Sequence, residues 1–432
     1  MKRGKAFLAV LLVLPFLSSL ALSNGLNLNG LGSKAVAMGG AFVGLADDFS
    51  AFFWNPAGIA QFKQVTFGLS GDDIIPTGTY KFDLALVNAQ TERKHYFVGM
   101  AAIFVPISEN VVAGVGVYTP SGLGANWDGT DFATLTLNKA YEWTSKIGVV
   151  TISPALAFKL NNQFFIGVAV NINYGMFDIS THAGKQNLPA PFPPLDLGQQ
   201  KISLKGWGYG ATIGVLVKPS EMFSIGATFR SSYKVKFSGD SSVSNMSALA
   251  GLPGPLFGAP IPNESDMKGE VTWPMWLAGG VAFRPIENLT LTADAQYTNW
   301  KKIDVITFEF TDTYWQLITA SSGKNKMAMH WRNATQVRFG AEYRINTVAI
   351  RGGYYFDPSP APDETMNVLV PNYDFNAVVV GFGFSLNGLR IDFSLEYLAG
   401  KERTIPITHT DAMPGVYTMK IWAPSISIGV NL

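Results

Sequence analysis

The sequence predicts an all-β fold, an antiparallel transmembrane β-barrel of about fourteen strands, the even number that such barrels carry. Three observations lead there. Apolar residues recur at every second position in many segments of about ten residues or longer. Short and long connections alternate between those segments. After residue 23 no apolar run reaches the roughly 18 residues that a spanning helix needs.

The period is clearest from Val150 to Leu160, where Val150, Ile152, Pro154, Leu156, Phe158 and Leu160 alternate with Thr151, Ser153, Ala155, Ala157 and Lys159. The next segment repeats it: Phe164, Ile166, Val168, Val170, Ile172 and Tyr174 share one face, and Gly167, Ala169, Asn171, Asn173 and Gly175 the other. Asn161-Asn162 between them is a tight-turn signal joining antiparallel neighbours. Similar alternation recurs from residue 223 onward to the end of the chain, where Ile426, Ile428, Val430 and Leu432 close the last strand.

The two faces differ in chemistry. One is wholly apolar; the other carries Asp294, Arg338, Glu342, Arg344, Arg351, Arg390, Asp392 and Glu396 among Gly and Ser. In a barrel the first face meets lipid, and the second is expected to meet a wet lumen. Pro219-Ser220, Ile286-Glu287-Asn288, Ile345-Asn346 and Asn387-Gly388 read as short turns, whereas long loops are expected near 178–200, 238–268, 300–328, 357–374 and 400–414. Trp207, Tyr209, Trp273, Trp276, Trp300, Trp331 and Trp422 are expected in interfacial girdles.

Composition agrees: the 432 residues are 47% hydrophobic and only 15% charged, against about a quarter charged in soluble domains. The net charge of +1 argues against a nucleic-acid partner, and the absence of cysteine removes disulfides and thiolate chemistry. Residues 1–23, with Lys2, Arg3 and Lys5 ahead of an apolar run and Ala21-Leu22-Ser23 at its end, have the layout of a signal peptide cleaved after Ser23. Residues 24–62 do not alternate; Gly30, Gly32, Gly39, Gly40, Gly44 and Gly58 punctuate small side chains and an acidic pair. Such a segment reads either as a plug ahead of the barrel of residues 63–432 or as a surface or periplasmic extension.

Asn29-Gly30-Leu31-Gly32, Ala41, the pair Asp47-Asp48 and Asn55-Pro56-Ala57-Gly58 together resemble the N-terminal hatch of the FadL family of outer-membrane transporters of hydrophobic compounds. The likeness continues through Gly206-Trp207-Gly208-Tyr209-Gly210, Phe229-Arg230-Ser231, Tyr354-Tyr355-Phe356-Asp357-Pro358 and Glu396-Tyr397. It implies a fourteen-stranded barrel in the bacterial outer membrane, with lipid and lipopolysaccharide around it. It also implies a lateral opening where the third strand kinks, at Thr119, Pro120, Ser121, Gly122 and Gly124. The residues agree, because Pro120 cannot donate a ladder bond and the glycines permit unusual backbone angles; an ordinary loop after Tyr118 is the plainer reading.

The function so implied is passive uptake of fatty acids or aromatic and alkyl hydrocarbons by a monomer, without cofactor or enzymatic chemistry. Loops 188–197 and 252–261, rich in Leu and Pro, are expected to line a capture pocket at the outer end. Arg332 falls where fatty-acid-binding members place a basic contact for the carboxylate. The alternative is a general porin for polar solutes; an adhesive barrel is a third option. His95, His182, His330 and His409 are isolated, with no triad or metal-ligand spacing, and Asp72-Asp73 reads as turn chemistry.

Overall fold

The computed structural model describes residues 25–188, 190–252 and 256–432; the expected signal peptide, and Pro189, Pro253 and Pro255 of the expected capture loops, lie outside the described residues. Fourteen staves form the wall. They are β1 (Thr66–Phe82), β2 (Val87–Gln90 and Tyr96–Ser108), β3 (Val111–Trp127), β4 (Trp143–Lys159), β5 (Phe164–His182), β6 (Gln199–Ser220) and β7 (Phe223–Arg230 and Tyr233–Val243). There follow β8 (Glu264–Trp273 and Trp276–Ile286), β9 (Leu289–Thr298 and Val305–Phe310), β10 (Ala334–Ile345), β11 (Val348–Asp357), β12 (Phe375–Leu386), β13 (Leu389–Gly400) and β14 (Gly415–Asn431). Each pairs antiparallel with its sequence neighbours, and β14 pairs with β1 from Thr66↔Asn431 to Lys81↔Val416, which closes the barrel. Closure is what hydrocarbon demands, since each unpaired backbone group there costs several kcal/mol.

At one end the turns are short. Asn387 and Gly388 both have positive φ, 48° and 83°, the backbone of the tight hairpin turn for which Asn-Gly is suited. The turn expected at Pro219-Ser220 lies two residues later, at Glu221-Met222. At the other end the strands run further than the alternation suggested, so the loops shrink to 183–198, 244–263, 311–333, 358–374 and 401–414. Asp72 and Asp73 are mid-strand in β1 rather than in a turn; Asp72 points inward and Asp73 pairs with His95 at 2.7 Å.

The outward column of β6 shows where the bilayer lies. From the loop end it reads Lys201, Ser203 and Lys205, then Trp207 and Tyr209, then Ala211, Ile213 and Val215: polar, aromatic, apolar. Trp207, Tyr209 and Trp422 are 47–68% exposed, as girdle residues should be. Trp273, Trp276, Trp300 and Trp331, expected in the same girdles, are instead buried inside. Sequence position near a strand end does not say to which side a side chain points.

The lumen is not wet. Arg338, Glu342, Arg351 and Asp392 are no more than 3% exposed, because residues 25–62 occupy the interior. That segment bonds to the wall in many directions: Ser33 to Ser425 of β14, Val43 N to Asp294 of β9, Asn55 to the Val215 carbonyl of β6, and Gly39 O to Arg338 of β10. Inward-facing glycines let its backbone come close. A Cβ on Gly353 would sit 2.0 Å from Gly39 N, and one on Gly226 2.0 Å from Val43 O.

Candidate ligand passage

At the loop end lies a cavity of about 840 Å³. Helix α1 (Thr313–Ser322), inserted between β9 and β10, forms one side with Trp315, Leu317 and Ile318. It starts where Asp312 Oδ1 accepts from Trp315 N at 3.0 Å and stops at Gly323, φ 68°, the Asp cap and left-handed Gly end that short helices favour. Leu188 and Leu197 face it from one loop, and Met246, Leu249, Leu252 and Leu256 from another. The expected capture loops thus meet at one cavity. Its cations are Lys185 and Lys324; Lys324 donates to Ala183 O at 2.8 Å, and burial lowers its pKa.

Asp196 clasps the surrounding loops. It accepts from Tyr141 at 2.6 Å and His182 at 2.8 Å and pairs with Lys139 at 2.9 Å, while Asn245 Nδ2 reaches its backbone oxygen. Burial alone would raise its pKa, but these hydrogen bonds outweigh burial and hold the carboxyl well below the usual range. A depressed folded pKa adds stability that is complete above about pH 4 and fades only as the pH falls further. Asp196→Asn is therefore expected to speed proteolysis of loops 128–142 and 183–198 at pH 7, whereas wild type stays resistant from pH 7 to about pH 5.

The third strand departs from a regular ladder. From Tyr118 to Ser121 it advances three residues while β4 advances two, Thr151 to Val149, which leaves a bulge at Thr119-Pro120. Pairing with β4 resumes to Trp127↔Trp143, but pairing with β2 ends at Met100↔Tyr118. Inside–outside alternation also stops, and every residue from Tyr118 to Ala125 is buried. Leu26–Leu28 take over as a partner on the inner side: Leu28 N donates to Pro120 O at 3.0 Å and Gly122 N to Leu26 O at 2.8 Å. Trp273 of β8 reaches Ser121 Oγ at 3.1 Å. The wall between β2 and β3 is thus unpaired above Tyr118 until the Thr91↔Trp127 bridge.

Asp47, Asp48, Asn55, Pro56 and Ala57 organise the interior segment. Asp48 Oδ1 accepts from Ser50 N and Oγ, setting the turn into the helix Ala51–Trp54. Asn55 caps the following 3₁₀ turn through Ala57 N, and its Nδ2 bonds Val43 O at 2.9 Å and Val215 O at 3.0 Å. Pro56 occupies the first helical position, where a missing N–H costs nothing. Asp47 pairs with the buried Lys34 at 2.5 Å, and Lys34 approaches Glu342 at 3.9 Å. Glu342 in turn holds Arg351 at 2.6 Å and Arg344 at 2.7 Å, while Asp392 holds Arg351 at 2.8 Å and Arg390 at 2.9 Å. One ion network therefore joins the segment to β10, β11 and β13.

Arg332 is elsewhere. Its side chain is 69% exposed and lies 3.7 Å from Glu364, beside a polar crevice of about 390 Å³ that Asp363, Lys401 and Arg403 share. It does not line the apolar cavity. Lys185 and Lys324, which do, went unnoticed in the sequence, although the Asp312 and Gly323 caps could have revealed the helix beside them.

Residues 14–431 match the family described as outer membrane protein transport protein (OMPP1/FadL/TodX). A long-chain fatty acid transport protein of Escherichia coli is 25% identical over 92% of this chain and 91% of its own, and outer membrane protein P1 of Haemophilus influenzae 20% over 86% and 88%. In fold the chain is similar to a Pseudomonas aeruginosa FadL homologue, at 18% identity and TM-score 0.78 over 94% of this chain and 99% of that one. The Ralstonia pickettii toluene transporter TbuX gives 18% identity and TM-score 0.70 over the same shares. A closed barrel with an outer apolar belt, matched almost end to end by one family, belongs to the FadL family of outer-membrane transport proteins.

Proposed function

We propose that this protein takes up hydrophobic compounds, fatty acids or aromatic and alkyl hydrocarbons, by capture in the outer cavity and sideways release between β2 and β3. The unpaired wall above Tyr118 carries this reading, because β3 loses its pairing with β2 there while keeping β4 as a partner to Trp127↔Trp143. An apolar solute leaving there passes into lipid without crossing water. Residues 24–62 act as the hatch that keeps the lumen closed to ions, with Asp47, Asp48, Asn55, Pro56 and Ala57 holding its shape. The bulge at Thr119-Pro120, with Ser121, Gly122 and Gly124, forms the gate. Capture is driven by burial worth about 0.8 kcal/mol per CH₂, and Lys185 and Lys324, rather than Arg332, stand where a carboxylate would arrive.

The test is equilibrium binding of a long-chain fatty acid and of an uncharged alkylbenzene by purified protein in detergent. Leu317→Asp, at a position 57% exposed on the cavity side of α1, is expected to weaken both at least about tenfold, or 1.4 kcal/mol. Binding of neither ligand by wild type, together with a steady ionic conductance in planar bilayers, would favour the porin for polar solutes.

A further inference from the structure

Two inward-facing carboxyl groups, Asp72 of β1 and Glu396 of β13, line one internal cavity of about 20 Å³ together with Leu28, Asn29 and Gly30 of the interior segment. They are only 5% and 9% exposed. Asp72 Oδ2 has no hydrogen-bond partner, and Glu396 Oε1 accepts from Tyr355 OH at 2.6 Å. Ser394 Oγ, which shares a cross-strand row with Asp72 through Ser425, is buried without a partner as well. Among the described residues no Lys, Arg or His stands within ion-pair distance of either acid.

The other acids of the inner face are provided for. Asp47, Glu342 and Asp392 each meet a cation at 2.8 Å or less. Asp48 accepts from Ser50 N and Oγ, and Asp294 from Val43 N at 2.7 Å. Arg338, the cation on the far side of Tyr355, donates to Gly39 O and to Gln336. A water in the cavity could bond Asp72 and Glu396 but would leave their charges uncompensated in a dry interior, where an unpaired charge is costly.

The donor set says what compensates them. Every polar side chain at the cavity offers oxygen, from Asp72, Glu396 and the Asn29 amide, which suits a hard cation. Among the described residues no three His, Asp or Glu side chains group as a metal centre would need. Calcium takes about 6–8 oxygens, more than two carboxylates and one amide supply in a space holding about one water.

We infer that the cavity between Asp72 and Glu396 binds one hard monovalent cation of the sodium class, which fastens residues 28–30 of the interior segment to β1 and β13. Leu28 also donates to Pro120 O at 3.0 Å, so the ion holds the same stretch that props the bulge in β3. The site is independent of the uptake function proposed above.

The test follows the rate at which protease cuts within residues 25–62 of the purified protein in detergent, at about pH 8, well above the ordinary carboxylate range. Sodium, potassium, calcium and choline chlorides are compared at equal ionic strength. Cleavage is expected to be about tenfold slower at a sodium concentration about ten times its Kd than in choline. In D72N and E396Q, each first checked for the heat-modifiable gel migration of a folded barrel, sodium and choline should give the same rate within about twofold. Should neither variant fold, the ion selectivity of the wild type carries the test. Equal rates in sodium and choline, protection by calcium alone, or protection that survives both substitutions would overturn the site. Protection that follows pH but not sodium would replace the ion by a proton shared between the two carboxyls.

Discussion

Deleting Pro120 is expected to abolish transfer of a hydrophobic ligand into the bilayer while leaving its capture in the outer cavity intact. β3 spends one residue more than β4 between Tyr118 and Ser121, and that surplus turns the strand inward, away from β2. Without it, the registers before and after the bulge coincide, and residues 121–126 can continue the ladder that now stops at Met100↔Tyr118. Proline has no N–H to contribute to that ladder, so its removal costs no donor there, and the bond lost is the one that its carbonyl accepts from Leu28 N. Uptake of labelled fatty acid by cells carrying the deletion should fall at least about tenfold, the loss of a route rather than of an affinity. Purified protein should bind the same ligand within about twofold of wild type, a difference of about 0.4 kcal/mol. Unchanged uptake would mean that ligands descend through the lumen, and the gate assigned to Thr119–Gly124 would be abandoned.

Arg351→Leu is expected to destabilise the interior assembly by about 3–5 kcal/mol, the cost of breaking a buried pair from one side. Glu342 Oε2 and Asp392 Oδ1 would lose their shortest partner, both in side chains only 2% exposed. Lys34 at 3.9 Å and Arg390 remain as partial compensation. The wall itself is held by backbone ladders, so the barrel should stay folded while the segment of residues 25–62 loosens. Planar-bilayer recordings should then show ion conductance where wild type is quiet, and urea should release the segment at lower concentration. Arg351→Leu combined with Glu342→Leu and Asp392→Leu should recover only part of the loss, since Arg390 is then left without its Asp392 partner. Wild-type conductance and stability in the single variant would show that the network carries no load.

Much of this was legible in the chain. Period-two alternation from Val150 to Tyr174 identified which residues meet lipid, because a strand places successive side chains on opposite faces whatever the surrounding fold. The Asn387-Gly388 turn was equally local. Asn55-Pro56-Ala57 could be singled out by resemblance, and Pro120 by its missing N–H, though neither shows what it touches. The girdle expectation held for Trp207, Tyr209 and Trp422 and missed for Trp273, Trp276, Trp300 and Trp331, whose surroundings are set by the interior segment and the loops. The charges on the inner face were visible, but their dryness was not.

The sequence by itself determined the barrel and its lipid face, since these follow from alternation, turn residues and loop lengths acting within one or two strands. Only the tertiary structure decided that the lumen is filled, that Lys34 meets Glu342 across some three hundred residues of chain, that Arg332 lies away from the outer cavity, and that Asp72 and Glu396 line one internal cavity. Those are pairings between distant segments, and no local propensity encodes them. They arise when a closed wall brings inward-facing side chains from every strand to one small interior, where each buried charge must find its partner or stand without one.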